Sequence, residues 1–247
     1  MILMFLMVGT VFAGVVWYDN FNDNSLGGMW TILMHGLAGV TEENQRIQIR
    51  PYGHLLGEDW MSGALMLDNN AWIPFTTGTR VTIEIPNYWN VQSVDLVLTN
   101  SIYNPMSSHR RYTISWVNNW ADGTGDVWVY EQIGSTVDPL FHKTQSERPG
   151  QWDRWGVPFY PYSSLMFAMV RENEMFDGVM YDSVSFWLGE NDNNQGTWVW
   201  TRLVSLAYMR ESYNLGTNYP DYIFDAYNSH PNHETGTAYF DNFYVVT

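Results

Sequence analysis

Apolar and polar residues alternate along most of this chain with a period of two, and no stretch of useful length keeps the 3.6-residue period of a helix. The closing segment, Thr237-Ala-Tyr-Phe-Asp-Asn-Phe-Tyr-Val-Val-Thr247, is β-branched and aromatic, without Gly or Pro, and reads as a final strand. Strict alternation puts Tyr239, Asp241, Phe243 and Val245 on one face and Phe240, Asn242, Tyr244 and Val246 on the other. Both faces are apolar enough to be covered, so the strand is expected inside a sheet. Its best partner is Val15-Val-Trp-Tyr-Asp-Asn-Phe21 near the other end. The two ends are therefore expected to meet and close one β-sandwich.

Between them, the pattern predicts short strands at Trp30–Met34, Arg46–Arg50 (stopped by Pro51), Ala64–Leu67 and Arg80–Ile85 (closed by Pro86). Val91–Thr99 follows, with Val94, Leu96 and Leu98 on one face. Arg111–Val117 and Val127–Ile133 read as a hairpin across turn-rich residues 118–125. From Pro139 to Tyr162 the alternation lapses, and a long ordered loop, or one with a short helix, is expected. Leu165–Arg171, Tyr181–Leu188, Thr197–Met209 as the longest strand, and Tyr222–Tyr227 complete the set. Close spacing with turns between, and no linker that splits the chain, give one all-β sandwich domain.

Composition sharpens this. Of the 247 residues, 45% are hydrophobic, enough for a substantial core. Aromatic residues reach 17%, with 13 Trp and 16 Tyr, more rings than a core readily hides, so some are expected at a surface that stacks on a ligand. The formal net charge of -15 argues against nucleic acid and against an anionic membrane surface. It serves solubility, and it also leaves carboxylates for a cation, for which calcium is the candidate. With no cysteine, disulfide, thiolate and zinc-thiolate chemistry are excluded. Residues 1–13 read as a signal peptide cleaved after Ala13, leaving 14–247 as the mature domain and no membrane contact after its removal; the protein is expected to be secreted.

Tyr18-Asp-Asn-Phe-Asn-Asp-Asn-Ser-Leu26 with Trp30, and Ala238-Tyr-Phe-Asp-Asn-Phe-Tyr-Val245, resemble the opening and closing strands of concanavalin A-like lectin/glucanase domains. The resemblance implies a jelly-roll β-sandwich of two antiparallel sheets, often secreted and often acting on polysaccharides. It also implies a structural calcium near the terminal strands, for which Asp241 is the matching position and Asp19 and Asp23 are possible helpers. Catalysis would carry over only through the Glu-x-Asp-x-x-Glu motif of the laminarinase-type members, and that spacing is absent here. Glu172-Asn-Glu174 is the nearest carboxylate pair with strand spacing.

The rings supply the candidate ligand-binding residues. On the long strand, Trp198, Trp200, Arg202 and Tyr208 share a face, and Val199, Leu203 and Ala207 share the other. Trp187 aligns with Tyr181, Trp128 with Tyr130, and Tyr112 with Trp116. A sugar's C–H face stacks on such rings while its hydroxyls bond to Arg, Asn, Gln or Asp. The competing structural reading is that the rings are inter-sheet core. The loop cluster His230-Pro-Asn-His233-Glu234 is a weaker zinc candidate, because its order does not match a helical metal motif. Three functions follow: a glycan-binding, lectin-like domain; a glycoside hydrolase or polysaccharide lyase with a diverged site, Glu131 or Glu84 contributing; or a structural subunit whose rings mediate self-association.

Overall fold

The computed structural model describes residues 14–26, 28–35, 38–51, 61–67, 73–89, 91–100, 110–119, 124–144, 164–192, 197–228 and 236–247. The expected signal peptide and the His230–Glu234 cluster lie outside them. The described residues form β1 (Val15–Asp19), β2 (Trp30–His35), β3 (Gly39–Glu43), β4 (Arg46–Arg50), β5 (Met61–Leu67), β6 (Arg80–Trp89), β7 (Ser93–Thr99), β8 (Arg110–Asn119), β9 (Thr124–Ile133), β10 (Thr136–Thr144), β11 (Leu165–Phe176), β12 (Val179–Asp192), β13 (Thr197–Ser205), β14 (Asp221–Asn228) and β15 (Thr237–Val246). They make two antiparallel sheets. The eight-stranded sheet runs β13-β12-β11-β6-β15-β4-β3, with β1 also paired to β15. The seven-stranded sheet runs β10-β9-β8-β7-β14-β5-β2. This is the expected all-β jelly-roll sandwich.

Alternation builds the core. Val94, Leu96 and Leu98 of the seven-stranded sheet and Val81, Ile83 and Ile85 of the eight-stranded sheet are fully buried in one cluster between the layers. Each such side chain contributes about 1.5–3 kcal/mol relative to exposure. Tyr112 and Trp116 belong to the same cluster, so these two rings are inter-sheet core. Gly63 lies where the layers approach closely: a Cβ there would sit 2.8 Å from Ile49 Cγ2.

The two ends meet as the alternation implies. β1 pairs with β15 from Val15↔Val246 to Asp19↔Phe243. The face assignment of β15 needs correction. Asn242 has φ 46°, and the register to β6 shifts on either side of Asp241. This bulge inverts the alternation midway, so Ala238, Phe240, Phe243 and Val245 all point inward. It also lets one edge of β15 serve two partners, β4 along Ala238–Phe240 and β1 along Phe243–Val246. Phe240 and Phe243 then meet Phe224 at ring-centroid distances of 4.9 and 6.2 Å, and Trp30 lies 5.3 Å from Phe243.

Two prolines also depart from expectation. β6 continues through Pro86, which stands at the register shift to β15, where the ladder lacks its regular donor. Pro139 lies within β10, an edge strand, again beside a register shift. The expected loop from Pro139 therefore begins as a strand. The expected strand Thr197–Met209 stops at Ser205 and turns into one 3-10 turn, Leu206–Met209. The Tyr208 backbone N–H donates to Ser205 Oγ, and Arg210 takes a left-handed conformation that ends the turn.

At one end of the sandwich, Arg171 ties three segments together. Its guanidinium donates to both Asp182 oxygens (2.9 and 2.6 Å), to Phe75 O (2.6 Å) and to Asn218 Oδ1 (2.8 Å). The Tyr213 ring centroid lies 3.8 Å from its Cζ. A cavity of about 310 Å³ adjoins it, but the guanidinium is already committed to protein partners.

Candidate functional site

A sandwich leaves two outward faces, and the candidate residues divide between them. Trp187, Trp200, Arg202 and Trp198 stand on β12 and β13 of the eight-stranded sheet, whereas Trp128 and Tyr130 stand on β9 of the seven-stranded sheet. The expected single aromatic strip is therefore two separate surfaces.

On the eight-stranded face the residues bind one another. Trp200 opposes Gly189, and a Cβ on that glycine would meet the indole at 3.1 Å, so the ring lies directly on the sheet beside Met166. The Arg80 guanidinium sits 4.1 Å from the ring centroid, a cation–π contact that takes up the indole surface. Arg202 pairs with Glu174 and, at 3.4 Å, with Glu172. Ser185 Oγ donates to Glu172 Oε1 (2.7 Å), and Trp187 Nε1–H donates to Ser185 Oγ (2.9 Å). Tyr208, within the 3-10 turn, places its ring 5.1 Å from the Arg202 Cζ. Glu172 and Glu174 thus form an ion cluster with Arg202. A bulge makes this possible: Phe186 opposes Val204 while Trp187 opposes Arg202, so Leu203 is the extra residue. Val204 then points into the core and Arg202 out of it.

The seven-stranded face differs. Register aligns one residue from every strand in a single row: Leu33, Ala64, Asp225, Asp95, Ser115, Trp128 and His142. Beside it runs a second row, Met66, Ile223, Val97, Thr113 and Tyr130. At about 4.8 Å per strand the first row spans roughly 29 Å. It is apolar at one end, acidic at its centre and aromatic at the other. Although these side chains point away from the core, Asp95 is only 7% exposed, Ser115 2% and Thr113 0%. The centre of the face is buried: Ala64, Met66, Val97 and Ile223 form a second hydrophobic cluster on it, with Leu33 packed against them.

Its polar atoms are not satisfied. Asp95 Oδ1, Asp225 Oδ1, Arg111 Nε, Thr113 Oγ1, Asp126 Oδ1 and Gln132 Oε1 are buried without a well-formed hydrogen bond, against Arg202 Nε alone on the described part of the other face. Thr113 lies near the Tyr130 phenol, yet its hydroxyl makes no bond of full geometry. Buried orphans of this kind ask for a water or a ligand. Asp95 and Asp225 are directly opposed on neighbouring strands, close enough that each carboxyl acts on the other. Burial pushes both carboxyls up, Asp225 well above the ordinary range because Asp95 adds its charge; bonds from Asp225, Ser115 and Ser93 temper the rise at Asp95. Arg111 favours the ionised form of each. Burial, then the charge of Asp95, raises the Tyr130 phenol. Trp128 stacks on His142 at 3.6 Å and 18°, and His142 Nε2 lies 3.2 Å from Asp126 Oδ2.

The three candidate calcium ligands each have partners within the protein, and Asp19 and Asp23 both act on Glu42. Asp19 accepts from the Phe21 backbone N–H and from Trp30 Nε1–H (2.9 and 2.8 Å), tying the opening turn to the core. Asp23 accepts from Ser25 N–H and lies against Glu42, whose carboxyl is raised by burial and by Asp23. Asp241 accepts from Asn242 N–H within the bulge and faces Glu84. Among the described residues no three His, Asp or Glu side chains form a metal-sized group. Glu131 and Glu84 are also separated: Glu131 opposes core Tyr112 in one sheet, and Glu84 accepts from Asn242 on the other.

The fold is a jelly-roll sandwich of two antiparallel sheets. Among solved structures, the chain resembles the catalytic domain of an endo-1,3-beta-glucanase (laminarinase) from Thermotoga petrophila RKU-1, with TM-score 0.58, 13% identity and coverage of 95% of this chain and 98% of that one. It also resembles the CBM2 module of the evolved Dit of Lactobacillus casei BL23 phage J-1 (TM-score 0.53, 11% identity, 95% of each chain). A third likeness is to an uncharacterized protein of Mycobacterium paratuberculosis (TM-score 0.52, 9% identity, 93% and 99%). No protein-family model and no curated protein sequence matches the chain. At such identities the likeness is one of fold.

The missed residues are Asp95, Asp225, Arg111 and Thr113. A signal existed: Val94-Asp-Leu-Val-Leu98 and Tyr222-Ile-Phe-Asp-Ala226 each set one carboxylate inside an otherwise apolar strand. Their pairing depends on a register between positions 130 residues apart, which no local pattern reveals.

Proposed function

We propose that this protein is a glycan-binding sandwich and that its binding face is the outer face of the seven-stranded sheet. The observation that carries the proposal is the row crossing all seven strands, with unsatisfied polar atoms at its centre and the Trp128 indole beside them. A saccharide offers both things such a surface lacks: hydroxyls to satisfy buried donors and acceptors, and C–H faces to lie on aromatic rings. Among the candidate rings, Trp128 and Tyr130 act in recognition, while Trp187, Trp200 and Arg202 stabilise the opposite face. Trp198, half-buried on β13, belongs with that second group. Export through residues 1–13 is part of the proposal.

A hydrolase is less favoured, because the two central carboxyls touch each other rather than standing at the roughly 5–9.5 Å that glycoside hydrolysis uses. Self-association has one supporting feature, the exposed Met175, Val179 and Met180 at the β11–β12 hairpin tip. The test is a panel of neutral polysaccharides and oligosaccharides probed with the chain and with Trp128→Ala, with and without chelator, alongside sedimentation. Trp128-dependent binding supports the proposal. No binding to any member, with a stable oligomer instead, overturns it.

A further inference from the structure

At the Arg171 end of the sandwich lies a cavity of about 310 Å³, walled by Arg171, Tyr213, Asn214, Gly216, Thr217 and Asn218. That size falls at the small end of small-molecule sites, roughly 300–1,000 Å³. The loop that bounds it turns at Gly216, whose φ of 74° an L side chain rarely takes.

The oxygens of this loop are spent on the protein's own donors. Asn214 Oδ1 accepts from the Tyr112 O–H, and the Asn214 backbone N–H donates back to the same phenol oxygen (3.2 Å). Leu215 O accepts from Asn100 Nδ2–H (3.0 Å), Thr217 O from the Tyr213 O–H (2.6 Å) and Asn218 O from the Phe75 N–H (2.7 Å). Thr217 Oγ1 accepts from the Tyr219 N–H (3.0 Å), and Asn218 Oδ1 from Arg171 Nη1–H (2.8 Å). These contacts fix both side-chain amides. A guanidinium has only donors, so Asn218 must turn its oxygen towards it. The Tyr112 oxygen already accepts a backbone N–H, so its own proton goes to the Asn214 oxygen. Each Nδ2 amino group is then left over, on two residues that line the cavity. Asn214 is half-buried and Asn218 exposed, so a ligand can reach them. Arg171 has placed four N–H groups, on Asp182, Phe75 O and Asn218, and one Nη2–H remains.

Charge points the same way. The chain carries 26 acidic residues against 11 Lys and Arg, yet none of the lining residues is acidic. Asp182, which pairs with Arg171, is not on the wall, and its side chain is 37% exposed against 10% for the arginine. Solvent therefore screens the aspartate more than the guanidinium, and the cavity keeps a positive bias. A hydroxyl ligand needs an acceptor for its own proton as well as donors. A group that only accepts needs what this wall offers.

We propose that this cavity is a carboxylate-binding site, in which the amide N–H groups of Asn214 and Asn218 hold the two oxygens of a ligand carboxylate beside the Arg171 charge. A uronic acid and a small organic acid carry the same group. The site is separate from the outer face of the seven-stranded sheet and does not depend on the glycan reading of that face.

The test exchanges each amide for its isosteric acid. Asn214→Asp and Asn218→Asp keep the oxygen that faces Tyr112 or Arg171, lose the amino group and put a negative charge in its place. Sodium acetate, sodium glucuronate and glucose are titrated into the ¹⁵N-labelled chain, with sodium chloride at matched ionic strength, while the side-chain amide signals of Asn214 and Asn218 are followed. Acetate and glucuronate should shift both signals to saturation, and glucose and chloride should not. Tighter binding of glucuronate than of acetate supports a uronic acid as the source, and equal binding a small acid. Each substitution should weaken carboxylate binding by about tenfold or more while the melting temperature holds. Signals that move no further in acetate or glucuronate than in matched chloride overturn the site, whatever the variants do. Carboxylate binding that survives both substitutions overturns the role of the amides, and glucose binding as well as glucuronate overturns the ligand class.

Discussion

The two outer faces carry similar residue types and use them differently. On the eight-stranded face Trp200 and Arg202 have found neighbours: Trp200 lies between sheet and Arg80, and Arg202 is held by Glu172, Glu174, Trp187 and Tyr208. On the seven-stranded face, Asp95, Asp225, Thr113 and Arg111 hold buried atoms without partners. Aromatic and charged residues on a sheet do not by themselves mark a ligand site. What distinguishes a site is hydrogen-bonding capacity that the protein leaves unused at a depth where water is scarce.

The comparison can be broken by exchanging roles. Trp128→Ala should have the largest effect on recognition, about 2 kcal/mol or roughly thirtyfold in glycan affinity, with little change in melting temperature. Trp200→Ala should do the reverse, costing about 2 kcal/mol of stability in urea titration, because the ring packs on Gly189 and under Arg80, while leaving glycan affinity intact. If Trp200→Ala abolishes binding, the faces have been assigned the wrong way round. Arg202→Met should cost about 1–2 kcal/mol, by stranding the half-buried Glu174, and should not alter binding. Thr113→Val is the smallest and sharpest: stability should hold or rise by up to about 1 kcal/mol, since an unpartnered buried hydroxyl is removed, while affinity falls severalfold. Ser185→Ala, which removes a hydroxyl that both donates and accepts, should destabilise.

The chemistry of the ends was legible because both terminal strands are strongly patterned and each needs a partner. Strict alternation then failed at Asp241–Asn242 and at Leu203, where single-residue bulges invert the faces beyond them. Proline misled at Pro86 and Pro139 because it excludes a regular ladder donor rather than strand geometry, and both stand at register shifts. The aromatic excess correctly drew attention to outward rings, but Tyr112 and Trp116 went to the core and the rest split between two sheets. The site's polar centre was hidden because it is assembled by cross-strand register from β7, β8, β9 and β14, each supplying one or two residues that look unremarkable on their own strand.

The most direct measurement is a hydrogen–deuterium exchange footprint of a panel-selected oligosaccharide on the chain. Protection should concentrate on β7, β8, β9 and β14, around Asp95, Ser115, Trp128 and Asp225. Protection concentrated instead on β12 and β13, around Trp187 and Trp200, would contradict the assignment of the binding face.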